Sequence, residues 1–175
     1  MKIFLFLLLG LLAVAHSSAS ALGDQLQFNL DHNDGESAAS STDGEKMKMP
    51  IQFQINGETY FYHEKQLSFW SAENDCKRTG GHLASIHTED INKYVNGVVL
   101  HYKSNADRTW LGGYRRESYR YFYWIDGSKW DYSRWGLTEN WKKSNRDTCV
   151  QMDHRKQGVW VVAYCYESRP YVCKL

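Results

Sequence analysis

After the first fifteen residues no stretch is apolar for long enough to span a bilayer, and proline occurs only twice, at Pro50 and Pro170. Charge of one sign is also missing. Lys+Arg total 21 against 20 Asp+Glu, a formal net charge of +1, which makes no general case for a nucleic-acid partner. No Gly-x-Ser-x-Gly, paired-carboxylate or phosphate-loop motif occurs, so an enzymatic role has no residue basis. Neither His-x-x-x-His nor Cys-x-x-Cys spacing is found, which removes the common zinc patterns and leaves the 7 histidines to surface or capping roles. Internal repeats and alternating strand–helix units are absent too, excluding solenoids and doubly wound sheets. No Asn-x-Ser/Thr acceptor exists, so N-glycosylation is not expected. What is abundant is aromatic: 7 Trp and 12 Tyr in 175 residues, enough large side chains for one small domain to close a core. A disordered chain would not have this composition.

Lys2, an apolar run through Ala15, and the small residues Ser17 to Ala21 have the layout of a secretory signal peptide over residues 1–21. The run of about thirteen residues is short of the about twenty that a spanning helix needs. The expected product is exported, with no membrane span, into an oxidising compartment where cysteines stay paired. Residues 22–50 carry Asp24, Asp31, Asp34, Glu36, Asp43 and Glu45 against Lys46 and Lys48 and have almost no aromatics. Such a segment buries too little apolar area to offset chain entropy and reads as a flexible acidic arm or propeptide. Residues 51–175 hold 18 Lys+Arg and 14 Asp+Glu and form the expected folded domain.

Within that domain Ser68 is placed to cap a helix with Phe69, Ala72 and Cys76 on one stripe, ending at Gly80-Gly81. Thr88 caps a second, with Glu89 and Asp90 in its first turn and Ile91, Tyr94, Val95, Val98 and Val99 along one face. After Leu100 the pattern turns to short aromatic or β-branched runs, at residues 119–125 and 158–164, separated by turn pairs such as Asp126-Gly127. Helices first and strands later predict an α+β fold with an antiparallel sheet.

Cys76, Cys149, Cys165 and Cys173 are an even set in an exported chain, so disulfides are expected, with three connectivities open. The words around them are more specific: Phe69-Trp70-Ser71-Ala72-Glu73-Asn74-Asp75-Cys76, Gly80-Gly81-His82-Leu83-Ala84-Ser85-Ile86, Trp110-Leu111-Gly112-Gly113, Trp124-Ile125-Asp126-Gly127-Ser128 and Cys149-Val150-Gln151-Met152. Together with Trp160 five residues before Cys165, and the closing Arg169-Pro170-Tyr171-Val172-Cys173, residues 51–175 resemble the C-type lectin-like domain, in the short form of secreted soluble lectins of fish mucus and plasma. The resemblance implies two helices, antiparallel sheets, a long loop region, and two disulfides, Cys76 with Cys173 and Cys149 with Cys165. In the chain-entropy model the first would contribute roughly 4 to 5 kcal/mol and the second about 3 kcal/mol.

Sugar-binding members of that family hold a Ca²⁺ with a Glu-Pro-Asn-type triplet, an acid just before the third cysteine, and a Trp-Asn-Asp triplet. Here Glu139 and Asn140 stand without the intervening proline, and Asp147 matches the acid. The last triplet reads Trp160-Val161-Val162, where branched hydrocarbon replaces two oxygen ligands. Three to five oxygens are too few for a cation that takes six to eight, so no cofactor and no metal are expected at this site. The same loop, residues 136–148, offers Trp141 to stack under a sugar's C–H face, and Glu139, Asn140, Asp147, Lys142 and Arg146, with Lys143, to hydrogen-bond hydroxyls or meet anionic groups. The expected function is a calcium-independent, non-enzymatic lectin for galactose-like or microbial surface glycans in innate defence, with noncovalent self-association as a route to crosslinking. One alternative is a protein-binding module docking through Val161, Val162 and Tyr164, and another is ice or mineral binding. Trp110, Trp124, Trp135 and Trp160 are assigned to the core, and Arg115, Arg116 and Arg120 to a solubilising cluster unaccompanied by stacking aromatics.

Overall fold

The computed structural model describes residues 48–117, 119–136 and 146–175. The segments read as signal peptide and acidic arm lie outside the described residues, apart from residues 48–50. Chain order is β1 (Ile51–Ile55), β2 (Glu58–Leu67), α1 (Phe69–Arg78), β3 (His82–Leu83), α2 (Glu89–Tyr102), β4 (Arg108–Arg115), β5 (Tyr123–Trp124), β6 (Thr148–Asp153), β7 (Val159–Tyr164) and β8 (Arg169–Lys174).

Two strands therefore precede the helices, correcting the expectation of helices first. The turn between them is Asn56-Gly57, both at positive φ (53° and 80°), the backbone that a two-residue hairpin turn needs to match strand twist. The sheet runs β1-β2-β8-β4-β6-β7, with β3 on β8 and β5 on β4. Every pairing is antiparallel except β4 with β8, which meet in parallel at Trp110 and Tyr171, so the sheet is mixed. The chain makes this pairing when β8 returns to sit between strands laid down far earlier, whose directions are already set. The run at residues 119–125 yields only the two-residue β5: Tyr119, Tyr121 and Tyr123 face solvent while Phe122 and Trp124 are buried, and pairing with β4 is confined to Tyr123 and Trp124.

Both helices start where their caps place them. Ser68 Oγ accepts from the Ser71 N–H and Thr88 Oγ1 from the Ile91 N–H. Successive residues of β8 divide between two buried clusters. Tyr171 and Cys173 join Phe69, Ala72 and Cys76 of α1, while Val172 joins Ile91, Val95 and Val99 of α2. Because side chains alternate across a strand, the clusters lie on opposite faces of the sheet, one helix over each. Cys76–Cys173 (Cα–Cα 5.4 Å) fastens α1 to β8, and Cys149–Cys165 (5.1 Å) joins the ends of the β6–β7 hairpin, the pairing that the resemblance implied.

The family-like words have local causes. A Cβ on Gly112 would stand 2.3 Å from the Leu83 carbonyl oxygen, where the Gly112 N–H donates to Ala84 O, so only glycine admits β3 this close to β4. Asp126 takes the Ser128 N–H (2.9 Å) and Ser128 Oγ–H (2.6 Å) on one oxygen and Ser85 Oγ–H (2.5 Å) on the other, closing a turn and tying it to the strand side of the sheet. Burial raises its pKa, but the Ser128 and Ser85 hydrogen bonds outweigh that and hold it below the ordinary carboxylate range.

Candidate functional site

The segment before the long loop is anchored by tryptophans. Trp130 stacks on Trp124 (4.4 Å), and both meet Trp160 edge-on, while Trp135 bridges to the Trp160 backbone. Trp160 is fully buried and its indole N–H donates to Asn92 Oδ1 of α2 (2.7 Å). Trp124 is buried and Trp135 half-buried in the same cluster, and Trp110 is buried in the other cluster beside Phe69 of α1, so all four tryptophans assigned to the core do pack in it. Glu89, at the start of α2, accepts from Tyr132 Oη (2.5 Å) and pairs with Arg134, which hold its carboxyl down to about 2 and fix residues 130–136 against the helix.

Of the sequence-predicted site, Glu139, Asn140, Trp141 and Lys142 lie outside the described residues, as does Lys143. Arg146 and Asp147 are described, both exposed, on the approach to β6. Asp147 Oδ1 accepts the backbone N–H of Glu117 at 2.8 Å, and the Arg146 guanidinium stands 5.6 Å over the Tyr164 ring. At the other half of the metal rim, Val161 is buried at 6% exposure and Val162 is half-buried against the core beneath α2. No side-chain oxygen is present at either position, and the one described acid already serves a backbone N–H. Among the described rim residues, neither valine can therefore supply a side-chain ligand to a cation that takes six to eight oxygens. The buried Val161 also corrects the docking-face alternative, since of Val161, Val162 and Tyr164 only Tyr164 is exposed (39%).

Two further corrections concern charged groups. His154 is no surface residue: it is 2% exposed, with Nδ1 2.9 Å from Asn96 Oδ1 and Nε2 2.7 Å from Thr109 Oγ1, and burial lowers its pKa to about 4. Its position in the tight turn after β6, where Asp153 accepts the Lys156 N–H, sends the ring inward under α2. Arg115 is buried at 4% and its guanidinium donates to Tyr119 O, while Arg120 sits 5.9 Å over the Tyr121 ring, so aromatics do accompany this cluster.

Ser85, His87 and Asp131 stand in the order of a nucleophile, base and acid, with His87 Nε2 3.1 Å from Ser85 Oγ and Nδ1 2.7 Å from Asp131 Oδ1. Chemistry does not follow from the order. Ser85 is 1% exposed and its hydroxyl proton is given to Asp126, leaving neither access for a substrate nor a proton for His87 to take.

Beside Arg146 a groove of about 360 Å³ opens between the start of α1 and the turn from β7 to β8, with Trp70, Tyr164 and Tyr166 as walls and Ser68, Arg146 and Asp147 supplying polar groups. Sequence reasoning missed Trp70 by treating its word as a family signature. Phe69, Ala72 and Cys76 of that word are fully buried, whereas Trp70 is 39% exposed.

The described residues thus form a mixed sheet with a helix on each face, fastened by two disulfides, one of which closes the β6–β7 hairpin. Residues 65–175 match the family model of the lectin C-type domain, and the chain belongs to that family. It is 35% identical over 117 residues to a protein named lectin from Pleurodeles waltl, covering 66% of this chain and 68% of that one. To the galactose-specific lectin nattectin of Thalassophryne nattereri it is 30% identical over 119 residues, 65% of this chain and 71% of the relative. Among solved structures, a calcium-independent type II antifreeze protein superimposes with a TM-score of 0.63 at 23% identity, covering 73% of this chain and 96% of that one. The fold is shared with proteins of more than one use, while the sequence relatives named here are lectins.

Proposed function

We propose that this protein is an exported, non-enzymatic lectin that binds galactose-like or microbial surface glycans without calcium and serves in innate defence. Family membership and the named lectin relatives support carbohydrate binding. The observation that carries calcium independence is the pair Val161, which is buried, and Val162, which packs against the core, neither with a side-chain oxygen where metal-dependent members need ligands. Sugar is then held by the loop of residues 136–148, with Trp141 stacking under the ring and Glu139, Asn140, Asp147, Lys142 and Arg146 meeting hydroxyls or acidic substituents. Since all four cysteines are spent internally, crosslinking of cells works through a noncovalent dimer or larger assembly. The signal-like amino terminus supports export, and among the described residues no helix is long and apolar enough to cross a membrane.

The test is a glycan array run with Ca²⁺ and with chelator, alongside Trp141→Ala. Equal binding in both conditions that the substitution removes is the expected result. Binding only with Ca²⁺ would overturn the metal-free reading, and silence in both would overturn the lectin reading.

A further inference from the structure

Among the described residues, nine large apolar or aromatic side chains stand exposed, and five of them belong to one connected strip. Trp70 meets Tyr114 with ring centroids 5.6 Å apart, Tyr114 meets Tyr123 at 6.4 Å, and Tyr123 meets Tyr119 at 5.8 Å. On its other side Trp70 lines the groove whose opposite wall is the stacked pair Tyr164 and Tyr166 (5.5 Å). Three separate elements contribute, α1, the β4–β5 pair and the β7–β8 turn, so local sequence does not account for the alignment. Water-facing rings at five positions cost solvation that a merely structural surface would avoid, and contiguous exposed apolar patches mark binding sites.

The strip's chemistry narrows the occupant. A pyranose presents an apolar C–H face and a rim of hydroxyls, and the groove presents ring faces beside Ser68, Arg146 and Asp147, whose second carboxylate oxygen has no partner among the described residues. Its volume of about 360 Å³ lies at the small end of the range for small-molecule sites, suited to one or two sugar units. The rings beyond the groove would be redundant for a single terminal sugar. They continue the strip in centroid steps of 5.6, 6.4 and 5.8 Å, with successive rings edge-on or tilted to one another (69°, 47° and 87°), so that each ring offers its own contact and not one flat platform. A nucleic acid would also stack, but Arg116, Arg120 and Arg146 are offset by Glu117 and Asp147, too small an excess of positive charge for a phosphate backbone.

We propose that this strip is a track for a linear oligosaccharide, with one pyranose in the groove between Trp70 and Tyr164 and the following units along Tyr114, Tyr123 and Tyr119. The track draws on α1, the β4–β5 pair and the β7–β8 turn, and shares Arg146 and Asp147 with the loop of residues 136–148. It rests on the carbohydrate reading above and extends it from a single sugar to a chain.

The test titrates the full chain with neutral linear β-glucan, chitin, mannan and galactan fragments of one to six units, in chelator. For at least one series the affinity is expected to rise by at least about tenfold from monosaccharide to hexasaccharide, and Trp70→Ala or Tyr123→Ala to remove about that factor, as loss of one stacking partner should. Monosaccharide binding stays unchanged in Tyr123→Ala and is lost in Trp141→Ala. Tyr166→Ala, at a side chain 69% exposed and clear of the core, guards against misfolding and should also weaken the hexasaccharide. Length-independent affinity, or hexasaccharide binding untouched in all three variants, overturns the track while leaving the lectin reading intact. No binding to any sugar overturns both. Labelled oligo(dT) that binds the wild type and not Trp70→Ala, with no hexasaccharide binding, overturns the sugar track in favour of a nucleic-acid platform.

Discussion

Acidification should weaken this protein above the range where carboxylates titrate, because His154 is locked neutral. With the ring 2% exposed between Asn96 and Thr109, its folded pKa is about 4 against 6.5 in an open chain. In that window the unfolded state binds the proton and the folded state does not, so stability is complete above about pH 6.5 and falls as pH drops toward 4. Between pH of about 7.5 and about 5 the linkage amounts to about 2 kcal/mol from His154 alone. His63, lowered to about 4 by burial and by Lys65, adds a similar loss. The carboxylates Glu89 and Asp126 are lowered instead, so their contribution is lost only below the ordinary carboxylate range and does not blur the window. Urea unfolding of wild type and His154→Gln at the two pH values isolates the effect. The wild type should lose about 2 kcal/mol more than the variant across the interval, with His63→Gln as the parallel control. An equal loss in wild type and His154→Gln would refute a buried neutral imidazole.

Three further outcomes follow from the same geometry. Gly112→Ala should cost about 1 to 3 kcal/mol by pushing β3 from β4, read as a lower urea midpoint with unchanged slope. Replacing Cys149 and Cys165 together by Ser should cost about 3 kcal/mol, since they close a loop of sequence separation 16, with the family-like fold still visible by circular dichroism. Calcium added to the full chain should leave its melting temperature unmoved. A site filled at about 100 times its Kd would add about 2.7 kcal/mol and raise the melting temperature by several degrees, a shift that would contradict the hydrocarbon-lined rim.

Legibility followed physical locality. Both helices were readable because a capping hydroxyl and an apolar stripe lie within one short window, joined for α1 by the glycine pair that follows it. The disulfide pairing was readable only through resemblance, because spacing alone leaves three connectivities and the bonded residues Cys76 and Cys173 are 97 apart. The β1–β2 hairpin was missed even though Asn56-Gly57 announces it, because the signal is a dipeptide while the eye follows periodicity. His154 and Val161 were misjudged for one common reason: which way a side chain faces in a strand or turn depends on register against neighbours distant in sequence. Trp70, in α1, lies off the buried stripe of Phe69, Ala72 and Cys76. The triplet substitution at Val161-Val162 was legible, and the structure adds that Val161 is buried. The aromatic strip was not legible, since its rings come from three elements that only the fold brings together.

The most direct measurement of the central claim is calorimetric titration of the intact protein with the best array glycan, once in Ca²⁺ and once in chelator. Equal affinity in the two buffers, abolished by Trp141→Ala, is the result this account predicts. Affinity that appears only with Ca²⁺ would contradict it, and would mean that oxygens other than those at Val161 and Val162 complete a metal site.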